Sequence, residues 1–209
     1  LTLESDVAAC CRLGVSYIGF NLYPKSKRFV ALAEAVELWR QGHNQDPSIL
    51  PTTRPTVVMV DPGLDDIEAV VQQFPELVAL QLHGHETETF LAEAKKRIGA
   101  GRQLWQARRV TDLSSVREAT SQDVDLVLYD APQLGEELGG TGQVFDWEKL
   151  KQRSWQGRFG IAGGVSVANV AEVLDFQPDL IDVCSKVEVS PGKKDIEAIE
   201  VLEKKIRGQ

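Results

Sequence analysis

Short apolar runs recur along the chain, separated by stretches in which apolar residues follow a helical period. The runs are almost continuously apolar, which is typical of strands that are buried on both faces of a parallel sheet. They begin near residues 17, 57, 78, 103, 125, 158 and 180. The helical stretches that follow them cover residues 34–40, 64–74, 87–98, 113–120, 146–152, 166–176 and 195–206. Seven strands, each followed by a helix, predict an α/β fold with a parallel sheet.

A further helix is predicted over residues 4–13, ahead of the first apolar run. In an unbroken alternation this helix follows a strand, so we expect a strand upstream of Leu1 that raises the count from seven to eight. Eight strands close a (β/α)8 TIM barrel, a fold that usually has about 250 residues. The sequence therefore predicts one barrel domain over residues 1–209 that starts at its first helix, with seven strands visible and the first strand missing.

The net charge of the chain restricts the kinds of molecule that it can bind. The formal net charge is −8, whereas nucleic acid and anionic membranes attract surfaces rich in Lys and Arg. No apolar run reaches the roughly 20 residues of a membrane-spanning helix. The three cysteines, Cys10, Cys11 and Cys184, show neither metal-site nor disulfide spacing. We therefore expect a cytoplasmic protein that binds a small molecule, without a metal, a nucleic acid or a membrane.

Candidate site residues follow the predicted strands, where the active site of a βα barrel lies. The candidates are Arg28, His83, Asp130, Gly163, Gly164, Asp182, Ser185 and Lys186. The pair Gly163–Gly164 precedes a predicted helix, and free amides there favour an anion such as phosphate, although a plain tight turn is the alternative. Asp130 ends the apolar strand "LVLYD" and suits a general acid; alternatively, it caps the turn that follows.

Two further candidates are cationic or can become so. His83 ends the strand "LQLH" and is either a hydrogen-bond donor to substrate or a structural strand-end residue. Arg28 follows Lys25 and Lys27, a run that is usually a solvated loop. At the active end of a barrel, however, an Arg fork suits a carboxylate. The loop "LGGTGQVFDW" at 138–147 allows a mobile lid, a phosphate cradle or a simple turn.

Taken together, these segments resemble the phosphoribosylanthranilate isomerase family of tryptophan biosynthesis. The resemblance runs nearly end to end through "GFNLYPKSKR", "LQLHG", the Asp130 strand, "GGTGQVFDW", "AGGVSVANV" and "IDVCSKVEVSPGKKD". It implies a cofactor-free Amadori rearrangement of N-(5-phosphoribosyl)anthranilate into 1-(2-carboxyphenylamino)-1-deoxyribulose 5-phosphate. It also implies that the glycine loop closes over the sugar.

The resemblance assigns a role to each candidate. Asp130 matches the general acid, Arg28 matches the residue that holds the anthranilate carboxylate, and His83 and Asp182 match other active-site positions. The phosphate would lie among the amides of Gly163, Gly164, Ser185 and Lys186.

Two departures from the family pattern qualify these roles. The family carries its base, a cysteine, on a strand directly before the segment that matches "LTLESD", and Cys10 and Cys11 lie on the following helix, so neither takes that role. Lys186 stands where the family usually has glycine, which is costly if φ is positive there, or else adds a phosphate contact.

Other functions stay open at this point. One alternative is a non-catalytic or truncated phosphate-binding barrel, and another is a neighbouring phosphate-binding barrel enzyme of tryptophan or histidine biosynthesis. A fusion to, or association with, another enzyme of the tryptophan pathway is also compatible with the sequence.

Overall fold

A computed structural model describes residues 1–44, 52–110, 122–130, 147–152 and 156–208 of the chain. The helix predicted over 113–120, residues 138–146 of the glycine loop and part of the proline-containing segment 42–56 lie outside these ranges. All elements named below belong to the described residues.

Seven parallel strands form one sheet in the order of the sequence. They are β1 Tyr17–Asn21, β2 Arg54–Met59, β3 Ala79–Leu82, β4 Gln103–Arg109, β5 Leu126–Asp130, β6 Phe159–Ala162 and β7 Leu180–Ile181. All seven strands expected from the apolar runs are therefore confirmed. Because every neighbouring pair is parallel, the carboxyl ends of all the strands lie at one edge of the sheet.

Helices precede, separate and follow the strands along the chain, as the alternation predicts. They are α1 Glu4–Leu13, α2 Leu32–His43, α3 Leu64–Gln73, α4 Glu88–Ile98, α5 Val170–Leu174 and α6 Ile196–Ile206. Side chains set two of the starts, because Thr87 accepts a hydrogen bond from the Phe90 amide and Asp195 accepts one from the Ala198 amide. None of the described helices is long and apolar enough to cross a membrane.

Two helices differ from the sequence prediction. Within the stretch 146–152, the described residues Trp147–Gln152 form a short 3-10 helix. The helix expected from residue 166 starts only at Val170, because the Asn169 side chain bonds back to Ser166 and Gly164 and holds the intervening residues in a loop. A second 3-10 helix, Ser185–Val187, leads into a hairpin of β8 Glu188–Ser190 and β9 Lys193–Lys194.

The sheet is buried on both faces. Along β5, Leu126 and Leu128 pack in one cluster with Trp105, whereas Val127 and Tyr129 pack in the larger cluster beneath the helices. This alternation follows from the two-residue period of a strand. It explains why the strand is continuously apolar rather than alternating with polar residues.

Helices α1 and α2 approach each other at Gly42. A Cβ atom at this position would lie 2.6 Å from the Val7 Cβ atom and 3.0 Å from the Glu4 carbonyl oxygen. The close contact places α1 directly ahead of β1, and α6 packs against α1 and α5. The two ends of the chain are thus held together, so the hairpin β8–β9 lies beside the loop after β1.

Candidate active site

A cavity of about 750 Å³ is lined by residues at the carboxyl ends of the strands. All eight sequence-predicted site residues line it: Arg28, His83, Asp130, Gly163, Gly164, Asp182, Ser185 and Lys186. The same cavity continues along β1 and β7 to residues at the amino ends of the strands, such as Tyr17 and Asp179, so its volume exceeds that of the site alone. The convergence of eight residues from five separate segments supports the site predicted from strand ends.

His83 and Asp130 form an ion pair at the centre of the site. His83 Nε2 lies 3.2 Å from Asp130 Oδ2, and both side chains are partly exposed to the cavity. The hydrogen bond to Asp130 raises the pKa of His83, and this effect outweighs partial burial, which acts in the opposite direction. The pair can therefore hold a proton between an imidazole and a carboxylate that face the cavity.

Asp182 follows β7 and faces the same cavity. Its amide donates to the Ile161 carbonyl oxygen at 2.9 Å, which aligns it with the end of β6. Asp182 lines the cavity and is exposed. Protein atoms around its carboxyl group still desolvate it, which raises the pKa of Asp182; the negative charge of Asp130 adds to the increase, although Lys194 opposes it. Asp182 is thus a carboxyl group able to keep its proton to higher pH than usual.

Two successive glycines follow β6 in the left-handed region, Gly163 with φ 85° and Gly164 with φ 65°. Only glycine adopts these conformations without strain. Asn169 holds the turn, because its Nδ2 donates to the Gly164 carbonyl at 3.1 Å and its Oδ1 accepts from the Ser166 amide at 2.8 Å. The Ser166 carbonyl oxygen accepts from the amides of Asn169 at 3.3 Å and Val170 at 3.0 Å, so the candidate anion contacts are the amides of the glycine turn that precedes Ser166.

Ser185 and Lys186 line the same cavity from the 3-10 helix Ser185–Val187, and both are exposed. Outside glycine, positive φ occurs in the described residues only at Asp61 and Gln177. Lys186 therefore carries no left-handed strain, which resolves the cost considered from the sequence. Its ammonium group is free to approach a bound anion from the solvent side.

Arg28 lines the cavity, and its guanidinium is already paired. Nε lies 2.9 Å from both carboxylate oxygens of Glu188, and Nη2 lies 2.5 Å from Oε2. Glu188 also accepts from Lys194 Nζ at 3.2 Å. Burial raises the pKa of Glu188, but the hydrogen bonds from Arg28 and the charge of Lys194 exceed that effect and leave the pKa lowered. Arg28 is thus a fixed cation rather than part of a solvated loop.

Glu188 and Lys194 also line the cavity, and sequence reasoning missed both. Both stand in "SKVEVSPGKKD", where alternating charges look like an exposed tail. The hairpin β8–β9 brings them together, and their side chains are only 3% and 8% exposed. Within the described ranges, no group of three or more His, Cys, Asp or Glu side chains is arranged to hold a metal ion.

Comparisons with known proteins identify the family of the chain. The family described as N-(5'phosphoribosyl)anthranilate (PRA) isomerase matches residues 1–205. The chain is 35% identical over 200 residues to N-(5'-phosphoribosyl)anthranilate isomerase of Cereibacter sphaeroides, a match that covers 93% of this chain and 90% of that protein. These matches favour the isomerase expectation over a different phosphate-binding barrel.

Solved structures extend the likeness to the fold. Phosphoribosyl anthranilate isomerase of Thermotoga maritima has a TM-score of 0.77 and 28% identity, covering 100% of this chain and 96% of its own. A phosphoribosyl anthranilate isomerase in complex with reduced 1-(o-carboxyphenylamino)-1-deoxyribulose 5-phosphate has a TM-score of 0.76 and 26% identity, with 100% and 96% covered. The TIM-barrel class expected from the alternation is confirmed. The chain therefore belongs to the N-(5'-phosphoribosyl)anthranilate isomerase family.

Proposed function

We propose that this chain isomerises N-(5'-phosphoribosyl)anthranilate by an Amadori rearrangement, with Asp130 as the general acid. The observation that carries the proposal is the His83–Asp130 pair, 3.2 Å apart and facing a cavity that a glycine turn and a fixed arginine also line. Such a cavity fits a substrate with a phosphate at one end and an aromatic carboxylate at the other.

The first step needs a proton on the furanose ring oxygen. Asp130 donates it, the C1–O bond breaks, and the anthranilate nitrogen supplies its electron pair to form a protonated Schiff base. His83 neighbours Asp130 and holds a proton to higher pH than an isolated imidazole, so the pair can restore the proton to the carboxylate. Removal of the C2 proton by a base then gives an enol-amine that tautomerises to the ketose.

The substrate is held at both ends. The loop amides of Gly163 and Gly164, together with Ser185 and Lys186, bind the phosphate. Arg28 receives the anthranilate carboxylate, because planar guanidinium groups recognise carboxylates through paired hydrogen bonds. Asp182 lines the same cavity, where its protonated form can donate to the open-chain sugar.

The test is turnover of the full-length protein, followed by the loss of anthranilate fluorescence. Asp130→Asn should reduce kcat by about 10²–10⁴ while binding of the reduced product analogue is retained. Asp65→Asn is the control, because Asp65 is an exposed carboxylate in the first turn of α3, outside the cavity. Full activity of Asp130→Asn would contradict the proposal. So would a parent protein that neither turns over the substrate nor binds the reduced product analogue.

Two broader expectations belong to the same proposal. A reducing compartment such as the cytoplasm fits the three cysteines, all of which are free thiols. Fusion to, or association with, another enzyme of the tryptophan pathway stays a prediction, which the mass of the native complex would test.

A further inference from the structure

The Arg28–Glu188 pair has a specific geometry. Glu188 accepts hydrogen bonds from Nε at 2.9 Å and from Nη2 at 2.5 Å. These two donors lie along one edge of the planar guanidinium group. A guanidinium group carries five N–H donors in a rigid fork. Glu188 therefore occupies one parallel pair of donors and leaves a second pair, on Nη1 and Nη2, for another acceptor. Among the described residues, Nη1 has no hydrogen-bond partner.

Glu188 is itself held in place. Its side chain is 3% exposed, and it also accepts from Lys194 Nζ at 3.2 Å and from the Gly192 amide at 3.4 Å. Lys194 is 8% exposed, and its backbone amide donates to Asp6 Oδ2 at 2.8 Å. The carboxylate thus lies in a hairpin that is anchored to α1, so it forms a rigid support rather than a mobile surface charge.

A rigid support affects how Arg28 binds. A free arginine side chain loses considerable rotamer entropy when it is immobilised by a ligand. Pairing with Glu188 fixes the guanidinium plane before any ligand arrives, so Arg28 loses less rotamer entropy when its second pair of donors binds a ligand. The hydrogen bonds with Glu188 span 160 residues of sequence, which means that only the folded chain provides this orientation.

We propose that Glu188 is a positioning residue: it holds Arg28 from the side so that the remaining Nη1–Nη2 pair receives the carboxylate of the substrate. This inference rests on the proposed function, because it requires a substrate with a carboxylate at this end of the cavity. It adds a specificity role for a residue that does not touch the reacting atoms.

Two stable probes separate positioning from general damage. One is reduced 1-(o-carboxyphenylamino)-1-deoxyribulose 5-phosphate, and the other is the same molecule without the carboxylate. Glu188→Gln in the full-length protein should bind the carboxylate probe about tenfold more weakly, since part of a charged hydrogen-bond pair is lost. Binding of the probe without the carboxylate should change by less than about twofold. KM should rise with kcat nearly unchanged.

The chain offers a matched control. Arg40 and Glu76 form the same side-on pair, with distances of 3.0 Å and 3.3 Å, on the outer surface away from the cavity. Glu76→Gln should leave the affinity for both probes unaltered. In a double-mutant cycle, Glu188→Gln should add little to Arg28→Met, because the glutamate acts through the arginine.

The possible results separate failure of the positioning role from failure of the proposed function. Equal weakening of both probes by Glu188→Gln, or unchanged affinity for the carboxylate probe in a parent protein that turns over substrate, would overturn the positioning role. A parent protein that binds neither probe would instead overturn the proposed function. If Glu188→Gln fails to fold by circular dichroism, Glu188→Asp decides the question. This variant keeps the negative charge on a side chain that is one methylene shorter. The inference requires it to lose affinity for the carboxylate probe alone.

Discussion

Replacing Gly163 with alanine tests whether the glycine turn after β6 serves a ligand or only the chain reversal. Gly163 has φ 85°, a conformation that costs a residue with a Cβ atom about 1–3 kcal/mol. Gly101 offers a matched control, because it has φ 88° and a Cβ atom there would meet nothing within 4 Å. Both substitutions carry the same backbone penalty, but only Gly163 lines the cavity.

The expected magnitudes differ between stability and binding. Gly163→Ala and Gly101→Ala should each lower the free energy of unfolding by about 1–3 kcal/mol. Each kcal/mol corresponds to about 2–4 °C in Tm for a chain of this size. Inorganic phosphate at about ten times its Kd should then stabilise the parent protein and Gly101→Ala by about 1.4 kcal/mol. For Gly163→Ala the gain should be clearly smaller, because relieving the strain rotates the loop amides.

Urea unfolding with and without phosphate measures both quantities on the same samples. The reasoning about the anion site fails if both alanine variants gain equally from phosphate. The reasoning about the backbone fails if neither variant is less stable than the parent protein. A sulfate titration extends the test, because a site built from backbone amides should accept either tetrahedral anion.

Two further predictions follow from individual contacts. His83→Asn should cost more stability near pH 5.5 than near pH 9. The hydrogen bond to Asp130 raises the pKa of His83, so its stabilisation is complete below about pH 6.5 and is lost as the pH rises through the raised value. A pH-independent loss in urea titrations would refute this. Gly42→Ala should destabilise the fold by about 1–2 kcal/mol, although alanine normally favours a helix, because its Cβ would lie 2.6 Å from Val7. An increase in Tm would show that α1 and α2 separate easily.

Much of the architecture is readable from the residues because it depends on local periodicity. The run "LVLYD" predicts a strand buried on both faces, and β5 is that strand. The helical period over residues 4–13 predicts α1 with the bounds that the structure shows. Strand order then places the site, since polar residues that follow parallel strands must meet at one edge.

Where a local prediction was wrong, a neighbouring side chain competed with the pattern. The apolar period from residue 166 favours a helix there, but Asn169 bonds to Ser166 and Gly164 and delays the start of α5 to Val170. Asn169 Oδ1 itself accepts from the Ser166 amide, so that amide is engaged within the loop. The sequence predicts an anion site at this position, and these local side-chain bonds fix the backbone conformation of the segment.

The sequence by itself determined the seven strands of the sheet, most of the helices, their order and the identity of the residues at the strand ends. Only the tertiary structure decided how those residues pair. His83 meets Asp130 because β3 and β5 end at the same edge, and Arg28 meets Glu188 across 160 residues because the hairpin β8–β9 folds back over the start of the chain. The physical reason is the separation along the chain over which each effect acts. Periodicity and propensity act over a few residues, whereas ion pairs and cavities depend on distances that only the folded chain fixes.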